Sequence, residues 1–98
     1  MKSIDELKRI LSEHKPEIKK KFKVKSIGIF GSYVRGKSKE RSDVDVLVEF
    51  SEPIGMFDFL DLEEYLKGIF GLNVDLVSKK ALKPKIGENI LNEVVYIW

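Results

Sequence analysis

The feature that most constrains this chain is a pair of aspartates, Asp43 and Asp45, at the start of the apolar run "DVDVLVEF". The alternating valines predict a β-strand, and residues two apart in a strand point to the same face of the sheet. The two carboxylates must therefore stand side by side. At about 6 Å and an effective dielectric near 20, their repulsion is roughly 2–3 kcal/mol, a sizeable part of the stability of a small domain. A fold that keeps this pair needs something to offset the repulsion.

A bound divalent cation is one way to offset it. Hard cations such as Mg²⁺ take carboxylate oxygens and usually complete their shell with substrate phosphates. The phosphates need a cradle of their own, and Gly31-Ser32, hereafter the GS turn, provides one where a strand leads into a short helical turn. Glycine lets backbone N–H groups approach a ligand closely, the serine adds a hydroxyl, and Arg35 lies on the same side of the turn. The stretch from Gly31 to Phe50 therefore predicts a site for a metal-bound polyphosphate.

The composition excludes several other kinds of site. The 98 residues contain no cysteine, so disulfides, thiolate metal sites and cysteine nucleophiles are ruled out. No apolar run is long enough to cross a bilayer, and the segment "MKSIDELKRI" carries acids where a signal peptide is apolar. We expect a single cytoplasmic domain over residues 1–98.

The net charge of +2 hides an uneven distribution. Residues 1–41 hold 13 lysines and arginines against 5 acids, whereas residues 42–98 hold 5 against 11. A basic first half can indicate a nucleic-acid surface, but these residues are dispersed along a helix, which favours a solvated face. The paired acids would also repel a nucleic-acid backbone unless a metal lay between them. Nucleic acid is therefore not expected as a direct substrate.

Hydrophobic spacing and turn residues predict alternating helices and strands. Ser3 and Glu6 form a capping-box pattern, and Pro16 predicts a break near His14 and Lys15. The predicted elements are a broken helix over 3–22, a strand over 24–30, a helical turn over 32–36, a polar loop over 37–42, a strand over 43–50, a helix from 56 that closes at 71, a strand over 72–78, a basic loop over 79–85 and a helical tail from 86. This order makes a small α/β domain.

Gly31-Ser32, ten intervening residues and Asp43-x-Asp45 resemble the GS-x10-DxD signature of the DNA polymerase β-type nucleotidyltransferase superfamily. The wider pattern "FGSYVRGKSKERSDVDVLV" is most similar to the minimal nucleotidyltransferase, or MNT, domain, and the similarity extends over nearly the whole chain. The resemblance implies a mixed β-sheet of three or four strands flanked by helices, with the GS turn and the acids at one edge.

The resemblance also implies a reaction. Such enzymes transfer a nucleoside monophosphate from an NTP to a hydroxyl with the help of two Mg²⁺ ions. Asp43 and Asp45 would then hold both ions. Asp75 in "VDLV" matches the third carboxylate on a neighbouring strand, which helps to bind one ion and accepts the proton of the attacking hydroxyl. Glu49 and Glu52 are the alternatives to Asp75 as the third acid.

The resemblance to MNT domains also implies an antitoxin that pairs with a HEPN ribonuclease toxin. It implies transfer of AMP from ATP to a tyrosine of that toxin. Two alternatives stay open: an antitoxin that neutralises its toxin by contact alone, and a nucleotidyltransferase that acts on a small molecule or nucleic acid. The apolar tail of Tyr96, Ile97 and Trp98 suits either a partner surface or the domain's own core. No membrane partner is expected.

Overall fold

One sheet of four strands organises the chain, in the spatial order β3-β2-β1-β4. The computed structural model describes residues 2–37 and 42–98, so most of the polar loop predicted over 37–42 lies outside the described residues. The strands are β1 (Val24–Phe30), β2 (Val44–Phe50), β3 (Val74–Ser78) and β4 (Val95–Tyr96). β1 runs antiparallel to β2 and β4, and β2 runs parallel to β3. The prediction of a mixed sheet is confirmed, with four strands.

The helices follow the predicted order. Within the described residues they are α1 (Ile4–Glu13), α2 (Lys15–Phe22), α3 (Ser32–Arg35), α4 (Met56–Phe70) and α5 (Pro84–Glu93), with a 3₁₀ turn over Lys79–Ala81. None of them is long and apolar enough to cross a membrane. The predicted closure at Gly71 is confirmed, because this glycine has a φ of +67° and its N–H bonds the carbonyl of Lys67.

The N-terminal helix is broken where proline predicts a break. Ser3 Oγ accepts a hydrogen bond from the N–H of Glu6 at 3.2 Å and so caps α1. α1 ends before His14, and Pro16 lies in the first turn of α2, where its missing N–H removes no hydrogen bond of the helix. The break allows both short helices to bury an apolar side in the same core.

The main core lies on one face of the sheet. Val44, Val46 and Val48 of β2 are fully buried there, as their alternation predicts. The helices cover this face with further side chains that have no exposed surface: Leu7, Leu11, Ile18, Leu62, Leu66 and Phe70. Asp45 points to the opposite face, which it shares with Leu47. Since Leu47 is only 1% exposed, that second face is apolar in the middle of β2 and polar towards its start.

The C-terminal segment departs from the predicted helical tail. α5 ends at Glu93, and Val94 is already extended, with φ of −62° and ψ of 135°. Val95 and Tyr96 then pair with β1 as the edge strand β4. The helical spacing of Val94 and Val95 is therefore misleading, because β-branched residues beside an open sheet edge suit strand pairing better than a further helical turn.

The last two residues extend this pairing. Ile27 of β1 accepts a hydrogen bond from the N–H of Ile97 and donates one to the carbonyl of Trp98, at 2.9 and 3.1 Å. Both side chains pack against the main core. Tyr96 by contrast is 44% exposed. Most of the apolar tail therefore belongs to the domain's own sheet and core.

The packing of α4 generates a stability prediction with a matched control on the same helix. Leu62 has no exposed surface, whereas Leu60 is 44% exposed. We expect Leu62→Ala to lower the free energy of unfolding by about 2–5 kcal/mol, because it leaves a cavity, and Leu60→Ala to lower it by about 1 kcal/mol or less. Urea unfolding of both variants checks this, and equal losses would contradict the assignment of Leu62 to the core.

Candidate active site

The pairing of β2 with β3 brings two of the predicted acids together. The strands run parallel in a register that sets Asp45 directly beside Asp75, and the N–H of Val44 bonds the carbonyl of Asn73 at the start of the pairing. Residues paired in this way point to the same face of the sheet. Asp43 comes two residues before Asp45 and raises the pKa of Asp45 by charge repulsion, so the Asp43 carboxylate also lies close. The predicted trio of Asp43, Asp45 and Asp75 therefore converges at one end of β2.

Burial and the neighbouring charges both act on the Asp45 carboxyl. Its pKa is raised from the ordinary 3.8 to about 6, first by burial, then by the negative charges of Asp75 and Asp43. Glu93 adds to the rise, and the positive charge of Arg35 opposes it. Asp43 and Asp75 are both exposed. The half-buried Asp45 is thus the centre of a negative cluster.

The GS turn touches this cluster directly. Gly31 has φ of +80° and ψ of −149°, a conformation that is essentially restricted to glycine. A Cβ on Gly31 would lie 2.9 Å from Cγ of Asp45, and closer still to one of its carboxylate oxygens. Glycine is therefore required here on two counts, the backbone conformation and the space that Asp45 occupies.

The single turn α3 follows at once and contains Ser32 and Arg35. The N–H groups of Val34 and Arg35 both bond the carbonyl of Gly31, at 3.0 and 3.1 Å, and fix the start of the turn. Ser32 is half-buried, and the Arg35 side chain is 52% exposed. The predicted phosphate cradle of Gly31, Ser32 and Arg35 is thus one compact unit beside the acids.

Sequence reasoning missed one member of the site, Glu93 at the end of α5. Its Oε1 accepts a hydrogen bond from the N–H of Gly31 at 2.8 Å. Both of its carboxylate oxygens accept from Nη1 of Arg35, at 3.2 and 3.1 Å. Gly31 and Glu93 are 62 positions apart, so no local motif signals the contact.

Tyr33 is a second residue that the sequence did not single out. Its side chain is 4% exposed, and its hydroxyl donates a long hydrogen bond of 3.5 Å to the carbonyl of Ser42. Burial, and then the nearby charge of Asp43, raise the pKa of the phenol. Tyr33 therefore supports the segment that leads into Asp43.

The two alternative third acids lie elsewhere. Glu49 accepts a hydrogen bond from Ser26 Oγ at 3.4 Å near the far end of β2, and Glu52 pairs with Lys23 at 3.8 Å. Both also line a cavity of about 450 Å³ at that far end, away from Asp45. Neither belongs to the cluster around Asp45, whereas Asp75 does.

The donor set fits Mg²⁺. In residues 2–37 and 42–98, no three Asp, Glu or His side chains are close enough to hold a metal ion by themselves. Mg²⁺ commonly binds through one or two carboxylates and fills its remaining positions with water and substrate phosphates. The mutual repulsion that raises the pKa of Asp45 is the interaction that such a cation would relieve. The cluster therefore has the chemistry of a cation site that is completed by a phosphate ligand.

The raised pKa of Asp45 predicts that this side chain destabilises the metal-free protein at neutral pH. Folded Asp45 binds its proton up to about pH 6, but the unfolded chain releases it near pH 4, so its contribution to the free energy of unfolding falls as the pH rises between these values. We expect Asp45→Asn to be more stable than the native chain at pH 7.5 without Mg²⁺. This advantage should shrink towards pH 4. Urea unfolding across this range measures it.

Asp61→Asn is the control, because Asp61 lies on the exposed side of α4. It should change the free energy of unfolding by about 0.5 kcal/mol or less at pH 7.5, as surface substitutions usually do. An Asp45→Asn protein that is less stable than the native chain at this pH would show that Asp45 is a structural acid.

Gly31 and Gly36 form a matched pair for a second prediction. Both have positive φ, +80° and +70°, but a Cβ on Gly36 meets no described atom within 4 Å. Gly36→Ala should cost about 1–2 kcal/mol for the left-handed backbone alone. Gly31→Ala should cost more, because its ψ of −149° lies in a region essentially restricted to glycine and because the new methyl group also displaces the Asp45 carboxylate. Equal losses in urea unfolding would contradict both reasons.

Comparisons with known proteins agree with this geometry. Residues 11–97 match a family model described as nucleotidyltransferase domain. The protein adenylyltransferase MntA of Thermococcus cleftensis is 50% identical over 97 residues, which cover 99% of this chain and 98% of the relative. A solved structure described as a minimal nucleotidyltransferase has a TM-score of 0.74 and 31% identity, over 91% of this chain and 93% of that chain.

A more distant structure shares the fold. It is a complex of a tri-AMPylated Shewanella oneidensis HEPN toxin with an MNT antitoxin, and it matches with a TM-score of 0.67 and 17% identity over 93% of this chain and 71% of that chain. At this identity the likeness concerns the fold alone. The family model and the relative at 50% identity extend over nearly the whole chain. The chain therefore belongs to the nucleotidyltransferase domain family and is a minimal nucleotidyltransferase.

Proposed function

We propose that this nucleotidyltransferase transfers AMP from Mg-ATP to a tyrosine hydroxyl of a HEPN toxin and thereby acts as an antitoxin. The observation that carries the proposal is the register of β2 and β3, which sets Asp45 beside Asp75. Gly31 lies against the same Asp45 carboxylate. Carboxylates and a phosphate cradle in contact are what phosphoryl-group transfer from a nucleotide requires.

The residues of the GS turn and Arg35 are the proposed phosphate ligands. Ser32 offers a hydroxyl one residue after Gly31, and Arg35 offers a planar guanidinium that suits phosphate oxygens. Together they would hold the β- and γ-phosphates, so that the α-phosphorus lies near the acids. The leaving pyrophosphate would then lie beside the start of α3.

The proposed transfer forms a bond between the acceptor oxygen and the α-phosphorus. It breaks the bond from that phosphorus to the oxygen that bridges to the β-phosphate, so pyrophosphate leaves. Asp75 accepts the proton of the acceptor hydroxyl, and it is exposed on the edge strand β3, where a second protein can reach it. Mg²⁺ held by Asp43, Asp45 and Asp75, as two ions on the family pattern, would supply the charge that stabilises the attacking and leaving oxygens.

The choice of acceptor is supported by the relatives. The T. cleftensis protein is named a protein adenylyltransferase, and the solved complex that shares the fold pairs an MNT antitoxin with a HEPN toxin that carries AMP groups. An exposed third acid also suits a macromolecular acceptor better than a buried one would. ATP as the AMP donor, tyrosine as the acceptor and the role of each site residue are parts of the proposal.

Mass spectrometry of the partner tests the proposal directly. The native chain is incubated with ATP, Mg²⁺ and a HEPN toxin, and the toxin should gain the mass of one or more AMP groups on tyrosine. Asp43→Asn with Asp45→Asn should abolish this gain. Asp75→Asn alone should slow it by about 100-fold or more, because general base catalysis typically contributes about 10²- to 10⁴-fold.

The matched control is Asp58→Asn with Asp61→Asn, which removes the same charge from two exposed positions of α4. It should leave the gain of AMP unchanged. A HEPN toxin that stays unmodified but is still inhibited by the native chain would favour neutralisation by contact alone. AMP found on a small molecule or nucleic acid, and absent from the toxin, would overturn the choice of acceptor.

A further inference from the structure

Glu93 lies among groups that ought to repel it. It stands near Asp45, whose pKa it helps to raise, and it adds a fourth carboxylate to a cluster that already holds three. Its side chain is 26% exposed, so solvent screens this repulsion only in part. The unfavourable energy of this repulsion must be offset by the hydrogen bonds that Glu93 accepts.

The partners of Glu93 are two members of the proposed phosphate cradle. Oε1 accepts from the N–H of Gly31, and both oxygens accept from Nη1 of Arg35. The Arg35 nitrogens Nε and Nη2 have no acceptor in residues 2–37 and 42–98, so they stay available to a phosphate. Glu93 therefore binds only Nη1 of Arg35 and does not occupy Nε or Nη2.

The position of Glu93 in the chain suits this task. It is the last residue of α5, and the segment that follows is already fixed to β1 by the pairing of β4 and by the backbone bonds of Ile27. The attachment of the C-terminal segment to the sheet thus does not depend on the Glu93 side chain. The side chain instead joins the end of α5 to Gly31, the glycine with positive φ in the GS turn.

We propose that Glu93 is a positioning residue for the nucleotide, which holds Gly31 in its positive-φ conformation and orients Arg35 towards the phosphates. This inference rests on the proposed function, since it assumes that Arg35 and the turn that begins at Gly31 receive a triphosphate. Glu93 acts through these two residues and does not touch the substrate. In the opposite role, Glu93 occupies the phosphate position and must be displaced by the nucleotide. Removal of its charge would then raise the nucleotide affinity, not lower it.

Binding of Mg-AMP-PNP to the full chain separates the two roles. Glu93→Ala should weaken binding by about tenfold or more, because Arg35 loses its orientation and the N–H of Gly31 loses its acceptor. Glu93→Gln keeps a carbonyl oxygen for Gly31 and should retain part of the affinity. Calorimetry on the native chain and both variants gives the values, with urea unfolding to verify that each variant is folded.

Amide hydrogen exchange at Gly31 gives a readout that does not involve nucleotide. Exchange should be slow in the native chain, faster by about tenfold or more in Glu93→Ala and intermediate in Glu93→Gln. Glu88→Gln is the control, because Glu88 is an exposed residue of the same helix α5 and carries the same charge. It should change neither the Gly31 exchange rate nor the affinity for Mg-AMP-PNP.

The outcomes are distinct. Tighter binding in the two Glu93 variants would overturn the inference in favour of a displaced carboxylate, and unchanged binding would overturn it as well. A native chain that binds no Mg-AMP-PNP would overturn the proposed function, and the inference with it. Weaker binding in Glu93→Ala with partial recovery in Glu93→Gln, matched by the exchange rates at Gly31, supports the positioning role.

Discussion

The parallel register between β2 and β3 is the constraint on which the site depends. A slip of one residue would turn Asp75 to the other face of the sheet and leave Asp45 without its neighbour. The register is fixed from the apolar side, where Val44, Val74 and Leu76 are buried in the main core. Packing on one face of the sheet therefore determines which charges meet on the other.

The site combines groups that repel one another with groups that hold them in place. Three aspartates and Glu93 are opposed within the cluster by Arg35, whose charge lowers the pKa of Asp45 while the acids raise it. Such an arrangement is unfavourable in the absence of ligand. Functional sites commonly keep this kind of local instability, because the residues are arranged for the bound substrate and not for the empty protein.

Sequence reasoning recovered most of the elements and the aspartates, because each depends on local signals. Alternation of valines predicts β2, Pro16 predicts the break between α1 and α2, and the GS-x10-DxD spacing singles out residues that lie together in the structure. Local signals did not predict the role of Glu93 or the strand β4. The contact of Glu93 with Gly31 and the strand β4 both depend on the return of the C-terminal segment to β1. Pairing with this distant edge overrides the helical spacing of Val94 and Val95. Long-range pairing of this kind leaves no mark in a short stretch of residues.

The place of Asp75 on an edge strand has a kinetic consequence. Among residues 2–37 and 42–98, β3 has a sheet neighbour on the side of β2 alone, and the Asp75 side chain is exposed. A base in this position exchanges its proton with bulk water directly and needs no internal relay. As the proposed base, Asp75 would thus pass the proton that it accepts to solvent without any rearrangement of the fold.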